Sequence, residues 1–237
     1  MRVDTRYRSE APEIMDDFNM EGALLKDTLR KIAKINRLLG GNCITRNGVS
    51  ALIKNIPAHQ RITILDVGCG NGDMLRELAD YARKNNRSFQ LAGIDANPAT
   101  VTYARELSAS WPDIQYYCQD MMDPAFQQQQ YDIILCTLTL HHFKEEEIYR
   151  LMNIFRQQAK IGIVINDLHR SALAYRLFQL ICVVFNLNSM VRYDGQVSIL
   201  RGFKKKELHQ LSAVLNIGRY SLQWKWAFRY QWIINNL

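Results

Sequence analysis

Most residues able to do chemistry in this 237-residue chain lie between positions 64 and 170. The stretch ILDVGCGNGD places Asp66 just ahead of glycines at 68, 70 and 72. Only a residue without a Cβ takes positive φ at no cost and lets backbone N–H groups approach a ligand closely. The stretch therefore reads as a buried strand, a tight turn and a helix start, the mouth of a Rossmann-type sheet that holds a nucleotide-like ligand. Asp95 follows Gly72 by 23 residues at the end of a second apolar run, and Asp120 follows a third. His141 and His142 stand together after a fourth such run, and Asp167, His169 and Arg170 after a fifth. In a parallel sheet these strand ends open onto one crevice, so the side chains can converge.

The elements that would position these residues alternate. Strands are expected at Arg61 to Val67, Leu91 to Ile94, Ile114 to Cys118, Tyr131 to Cys136 and Lys160 to Ile165, with helices at Met74 to Lys84, Pro98 to Ser108 and Glu145 to Gln158. This pattern predicts a doubly wound α/β fold, mostly parallel, spanning 61–170. Before it, residues 1–60 read as a helical extension: Leu25, Leu29, Ile32, Ile35 and Leu39 form one stripe, Gly40-Gly41 ends it, and a short helix is expected near Val49 to Lys54. After it, 171–203 reads as a cap or substrate segment. There an apolar helix, Ser171 to Leu187, precedes MVRYDGQVSILRGF, which reads as a loop carrying Tyr193 and Arg201. Residues 204–237 complete the core with a helix at Lys204 to Leu215 and an antiparallel hairpin at Gly218 to Trp226 and Phe228 to Ile234.

Composition narrows the setting. Five scattered cysteines without a CxxC pair imply neither a disulfide framework nor a zinc site and fit a reducing cytoplasm. The charged N-terminus lacks the apolar core of a secretory signal. The net charge of +7 resides in the last 67 residues, which hold nine Lys and Arg against two Asp and Glu. Such a region suits an anionic substrate, a membrane surface, nucleic acid or a merely solvated face. The helix at 171–187 is too short for a comfortable membrane span. It reads as a buried cap helix, one wall of a greasy pocket, or a weak membrane-contacting face.

The glycine spacing separates two cofactors. A dehydrogenase fingerprint GxGxxG would need glycine where Asp73 stands. The arrangement hhDhGxGxG instead resembles motif I of the class I S-adenosylmethionine-dependent methyltransferases, and the resemblance continues in order through residues 64 to 167. It implies a cofactor site made of Asp66, Gly68, Cys69, Gly70, Gly72, Asp95, Ala96, Asp120, Met121 and Thr137. Asp95 would hold the ribose hydroxyls, Asp120 the adenine amino group with Met121 beside the ring, and Asp66 the turn and the cofactor's amino group. The demethylated product, S-adenosylhomocysteine, would occupy the same site.

The fourth strand bears on the acceptor. Superfamily members that methylate nucleobase amines carry (N/D)PP(Y/F) there, whereas this chain reads CTLTLHHF, so no specific nucleic acid is expected. The acid that metal-dependent catechol methyltransferases use is also missing, and no metal is expected. The segment resembles small-molecule O- and C-methyltransferases, including the quinone-ring group, in which a histidine follows this strand. IMDDFNMEG, LHH, NDLHR and DGQVSILRGF together look like bacterial enzymes associated with aromatic polyketide or phenolic lipid pathways. The resemblance implies a small apolar, phenolic or quinone-like acceptor, with O-methylation favoured over C-methylation. A base must remove the acceptor's proton. His142 is the first candidate and His141 the second, with Asp167 to fix the tautomer and His169 nearby. Arg170, Tyr193 and Arg201 are candidate acceptor contacts. Two other readings stay open: an RNA or protein methyltransferase that uses the basic C-terminal region, and a catalytically silent binding subunit.

Overall fold

A computed structural model describes residues 3–236. Its centre is a seven-stranded sheet in the order β3-β2-β1-β4-β5-β7-β6. β1 (Arg61–Val67), β2 (Ser88–Asp95), β3 (Ile114–Cys118), β4 (Tyr131–Thr137) and β5 (Ala159–Leu168) are parallel. β6 (Tyr220–Lys225) and β7 (Arg229–Asn235) form a hairpin, and β7 docks antiparallel on β5 with Leu168 opposite Arg229. Ile62, Ile64, Leu65 and Val67 are all fully buried, as expected of a central strand covered on both faces. The expected doubly wound sheet with its closing hairpin is what forms.

The crossover helices start where their caps dictate. Gly72, in the left-handed region at φ 76°, opens α3 (Asp73–Lys84). Asn97 accepts from the Thr100 N–H and Pro98 takes the first turn of α4 (Pro98–Leu107). Three glutamates in the first turn of α5 (Glu145–Gln158) meet the positive end of its dipole.

The N-terminal extension departs from the expectation. Its long helix, α1 (Ala23–Leu38), begins only at Ala23 and is preceded by a single 3-10 turn at Ile14–Asp16. The next helix, α2 (Gly41–Leu52), begins eight residues earlier than the periodicity suggested. Gly40-Gly41 does end α1, as expected, but Gly40, at φ 75°, also turns the chain so that Gly41 starts α2 at once. A Cβ at Gly48 would lie 2.5 Å from Val164, so this glycine lets α2 lie flat on β5.

The cap segment is corrected more strongly. α6 (Ala172–Val184) is followed by a second helix, α7 (Ser189–Arg201), where a loop was expected. Asn188 caps α7 by accepting from the Val191 N–H, and Gly195 fits against the Phe178 ring of α6. Apolar residues of α7 lie on no single face, so it carries no helical periodicity to read. α8 (Lys205–Val214) leads into the hairpin.

Arg170 belongs to this scaffold and does not line the site. Its guanidinium is fully buried and donates to the carbonyls of Thr5, Arg6 and Gly202 and to the Glu207 carboxylate. It thereby pins the N-terminal segment to α8. Removing one partner of such a pair leaves several buried acceptors unmet. Arg170→Ala is expected to lower stability by about 3 to 5 kcal/mol. Equilibrium urea unfolding measures this, and a loss under about 1 kcal/mol would contradict the anchoring role.

Candidate functional site

A cavity of about 880 Å³ opens along the carboxyl ends of β1, β2, β4 and β5. One half is built from the glycine turn. Gly68 (φ 65°) and Gly70 (φ 52°) both take left-handed backbone, and a Cβ on Gly68 would sit 2.5 Å from Thr139. Asp95 ties this turn to β2: its carboxylate accepts from the Gly70 N–H at 3.1 Å and from the Asn97 N–H at 3.1 Å. Burial nevertheless raises its pKa above the ordinary carboxylate value.

Asp66 is harder to account for as a structural residue. It is 2 % exposed, its Oδ1 has no hydrogen-bond partner among the described residues, and burial beside Asp95 pushes its pKa up to about 8. A buried carboxylate without a donor is costly unless something else supplies one.

Asp66, Gly68, Cys69, Gly70, Asp95, Ala96, Asp120, Met121 and Thr137 all line the cavity. Gly72 does not, since its part is the left-handed entry to α3, where a Cβ would collide with Tyr116. Asp120 is exposed and accepts from the Met122 N–H at 2.8 Å, while Met121 is buried. Thr137 pairs its hydroxyl with that of Thr45 on α2, which also accepts from Asn166.

The other half of the cavity holds the histidines. Leu138, at φ 54°, turns the chain sharply after β4 and leads into a 3-10 turn at Leu140–His142. His141 is buried, and its Nδ1 lies 2.7 Å from Asp167 Oδ1, whose partner oxygen accepts the His141 backbone N–H. Burial would raise the Asp167 pKa, but the pull of His141 outweighs it and holds the carboxyl below its usual range. With Nδ1–H donating to a carboxylate, Nε2 keeps its lone pair. That Nε2 is buried without a hydrogen-bond partner. Asp167 therefore orients His141 and not His142.

His142 is held by a residue from the far end of the chain. Its Nδ1 lies 2.7 Å from Asp16, which also accepts from Arg201 at 2.7 Å. Glu13, in the same N-terminal segment, accepts from Ser198 through one oxygen and places the other 3.7 Å from His141 Nε2. Burial lifts the Glu13 pKa to about 7.

Sequence reasoning did not single out Glu13 or Asp16 as site residues. Their separation from the histidines is more than 120 positions, and only the acid cluster ahead of the first helix could have drawn attention to them. Glu13, His141 and His142 each bring one potential ligand atom within 4.8 Å of the others. Arg201 stands 3.5 Å from the shared Glu13 oxygen, however, and this works against a further cation.

The remaining candidates are dispersed. His169 lines the far side of the cavity, where its Nδ1 accepts from Trp224 and burial lowers its pKa. None of Arg170, Tyr193 and Arg201 lines the cavity. Tyr193 is 46 % exposed on α7, and Arg201 is engaged by Asp16 and by the His142 carbonyl. The arginine that does line the cavity is Arg229 of β7.

Residues 64–162 match the methyltransferase domain family. That likeness covers less than half of the chain. The match covers β1 through the start of β5, the segment that builds the glycine turn, Asp66 and Asp95. Among curated proteins, a putative methyltransferase of Bacillus subtilis (strain 168), YqeM, is 28% identical over 111 residues, which span 46% of this chain and 42% of that protein.

Solved structures extend the likeness of fold over nearly the whole chain. The plantazolicin methyltransferase BpumL in complex with SAH matches at a TM-score of 0.67 and 16% identity, over 91% of this chain and 95% of that one. The magnesium protoporphyrin IX methyltransferase of Synechocystis PCC 6803 with bound SAM matches at 0.55 and 14% identity, over 93% and 88%. At these identities the likeness is one of fold, a Rossmann-like sheet with a closing hairpin.

Asp66 gives the domain a measurable signature. Its folded pKa is raised, so between the unfolded value near 4 and about 8 the folded state binds the extra proton, and stability falls as pH rises. The ligand-free protein is expected to lose several degrees of thermal midpoint between pH 5 and pH 8 in a scan of melting temperatures. Asp66→Asn should reduce that slope and leave the share that Glu13 and Asp95, whose pKa values are also raised, contribute in the same sense, and an unchanged slope would show that Asp66 does not carry the extra proton.

Proposed function

We propose that this chain transfers a methyl group from S-adenosylmethionine to a hydroxyl of a small, largely apolar aromatic acceptor. The observation that carries the reading is Asp66, a buried carboxylate with an unmet oxygen beside a Cβ-free turn. That arrangement fits the cofactor's cationic amino group, which would supply the missing donor and draw the Asp66 pKa down. Asp95 offers carboxylate oxygens to ribose hydroxyls, and Asp120 with Met121 lines the wall suited to the adenine ring. The cofactor supplies a methyl group already activated on sulfonium.

What the chain must add is alignment and a place for the acceptor's proton, worth roughly 7 to 11 kcal/mol and 10²- to 10⁴-fold respectively. His141 meets the second need better than His142. Its Nδ1 is fixed by Asp167, its Nε2 has no hydrogen-bond partner among the described residues, and it lines the cavity while buried from water. The acceptor's O–H would donate to Nε2, the proton would stay on the imidazole, and Asp167 would stabilise the cation formed. Glu13, 3.7 Å from the same Nε2, would offer the proton an onward place. Ile32, Ile35, Phe178, Leu180 and Ile181, from α1 and α6, give the acceptor side of the cavity an apolar wall.

Calorimetry with S-adenosylmethionine and its demethylated product tests the foundation, and the absence of a binding signal would end this reading. Asp95→Ala is expected to weaken cofactor binding by about 1 to 3 kcal/mol. Unchanged affinity would remove Asp95 from the site. Incubation with methyl-labelled cofactor and small-molecule extracts, followed by mass spectrometry, identifies the acceptor. With that acceptor, His141→Ala should slow transfer about 10²- to 10⁴-fold while cofactor affinity holds. A slowing confined to His142→Ala would reverse the assignment.

A further inference from the structure

Arg229 is the least explained charge in the molecule. It sits at the start of β7 opposite Leu168, is 4 % exposed, and lines the cavity. Its Nε and Nη1 are buried without a hydrogen-bond partner among the described residues, and no carboxylate lies within ion-pair distance of it. Burial lowers its pKa to about 10, with Asp167 opposing at longer range, so it keeps its charge at neutral pH. Asp167 is in any case committed to His141 and to the backbone N–H groups of His141 and Leu168.

The contrast with the other buried arginine is direct. Arg170 has Glu207 and three carbonyls, so its burial is compensated within the protein. Arg229 has no such set, and an uncompensated buried guanidinium costs several kcal/mol. A hydrophobic side chain of similar length would fill the same space more cheaply. The position is thus explained by something that enters the cavity and pairs with the guanidinium. A planar fork of N–H donors is suited to a carboxylate or another oxyanion. The neighbouring lining is aromatic, from Trp226, Phe228 and His169, so the body that carries the oxyanion would be flat and apolar.

We propose that Arg229 is the recognition site for an anionic oxygen on the acceptor, which makes the acceptor an aromatic acid with its oxyanion directed at β7. This rests on the methyl-transfer reading for the word acceptor, but the oxyanion site stands on the geometry of Arg229 alone. It also gives the basic C-terminal region a specific member at the site, where Arg170 and Arg201 are spent on the scaffold.

Benzoate and benzamide are a matched pair of probes, since they share shape and differ in charge. The full chain is first titrated with S-adenosylhomocysteine by calorimetry, then with each probe, by ligand-observed NMR. Benzoate is expected to bind at least about tenfold more tightly than benzamide. Arg229→Met should abolish that preference and leave the S-adenosylhomocysteine affinity unchanged. The same variant should melt at or above the parent temperature, because it removes an unpaired buried charge.

Equal binding of both probes, or a preference that survives in Arg229→Met, overturns the proposal. A variant that melts lower than the parent and keeps the preference shows a scaffold residue instead. Should S-adenosylhomocysteine fail to bind while the benzoate preference holds and vanishes in the variant, the methyl-transfer reading falls and the oxyanion site remains.

Discussion

A carboxylate in a crevice that excludes water must find donors or surrender its charge, and three aspartates at strand ends along one cavity meet that requirement in three ways. Asp167 finds an imidazole and two backbone N–H groups, and stays ionised. Asp95 finds the N–H groups of Gly70 and Asn97, enough to fix the glycine turn but not to offset its burial. Asp66 leaves one oxygen without a donor. Asp66 and Asp95 sit on neighbouring strands, β1 and β2, and Asp167 lies across β4 on β5, beside the base. The carboxylate beside the histidine is satisfied within the protein, and the Asp66 oxygen is left for a ligand to complete.

The histidine half of the cavity depends on chain that lies far outside residues 64–162. Asp16 holds both His142 and Arg201, and Asp194 of α7 accepts the backbone N–H groups of Ile14 and Met15. Arg8 donates to the carbonyls of His141, Phe143 and Arg201. Each contact joins the N-terminal segment either to the histidine turn or to α7, so the three pieces form one wall. A local change in that segment would reach the base through Glu13 and Asp16 directly, with no need of a path through the sheet.

How much of this was legible in the sequence follows from which interactions are local. The five parallel strands and the hairpin rest on periodicity and on residues within a few positions, and they form where expected. The aspartates at strand ends could be placed because the order of strands determines where they open. α7 was not legible, because Asp194, Gly195 and Gln196 interrupt a helix whose apolar residues face several neighbours at once. α2 starts eight residues before its expected position because Gly40-Gly41, which stops α1, also starts the next helix, and only the packing of Gly48 against Val164 shows why a helix with that glycine belongs there. Glu13 and Asp16 were invisible as site residues because their partners are more than 120 positions away.

The arginines show the limit most sharply. Arg170 and Arg201 were chosen for their nearness to recognisable motifs, and both are used up by partners inside the protein. Arg229 lies in a strand with no motif around it, where alternation gave no reason to separate it from Gln231 on the same face. What distinguishes it is not its type or its spacing but the missing partner, a property of the folded arrangement alone. Charge in a sequence says how many cations there are. Only the packing says which of them still has a hydrogen bond to give, and here Arg229 lines the cavity from the strand that closes the sheet.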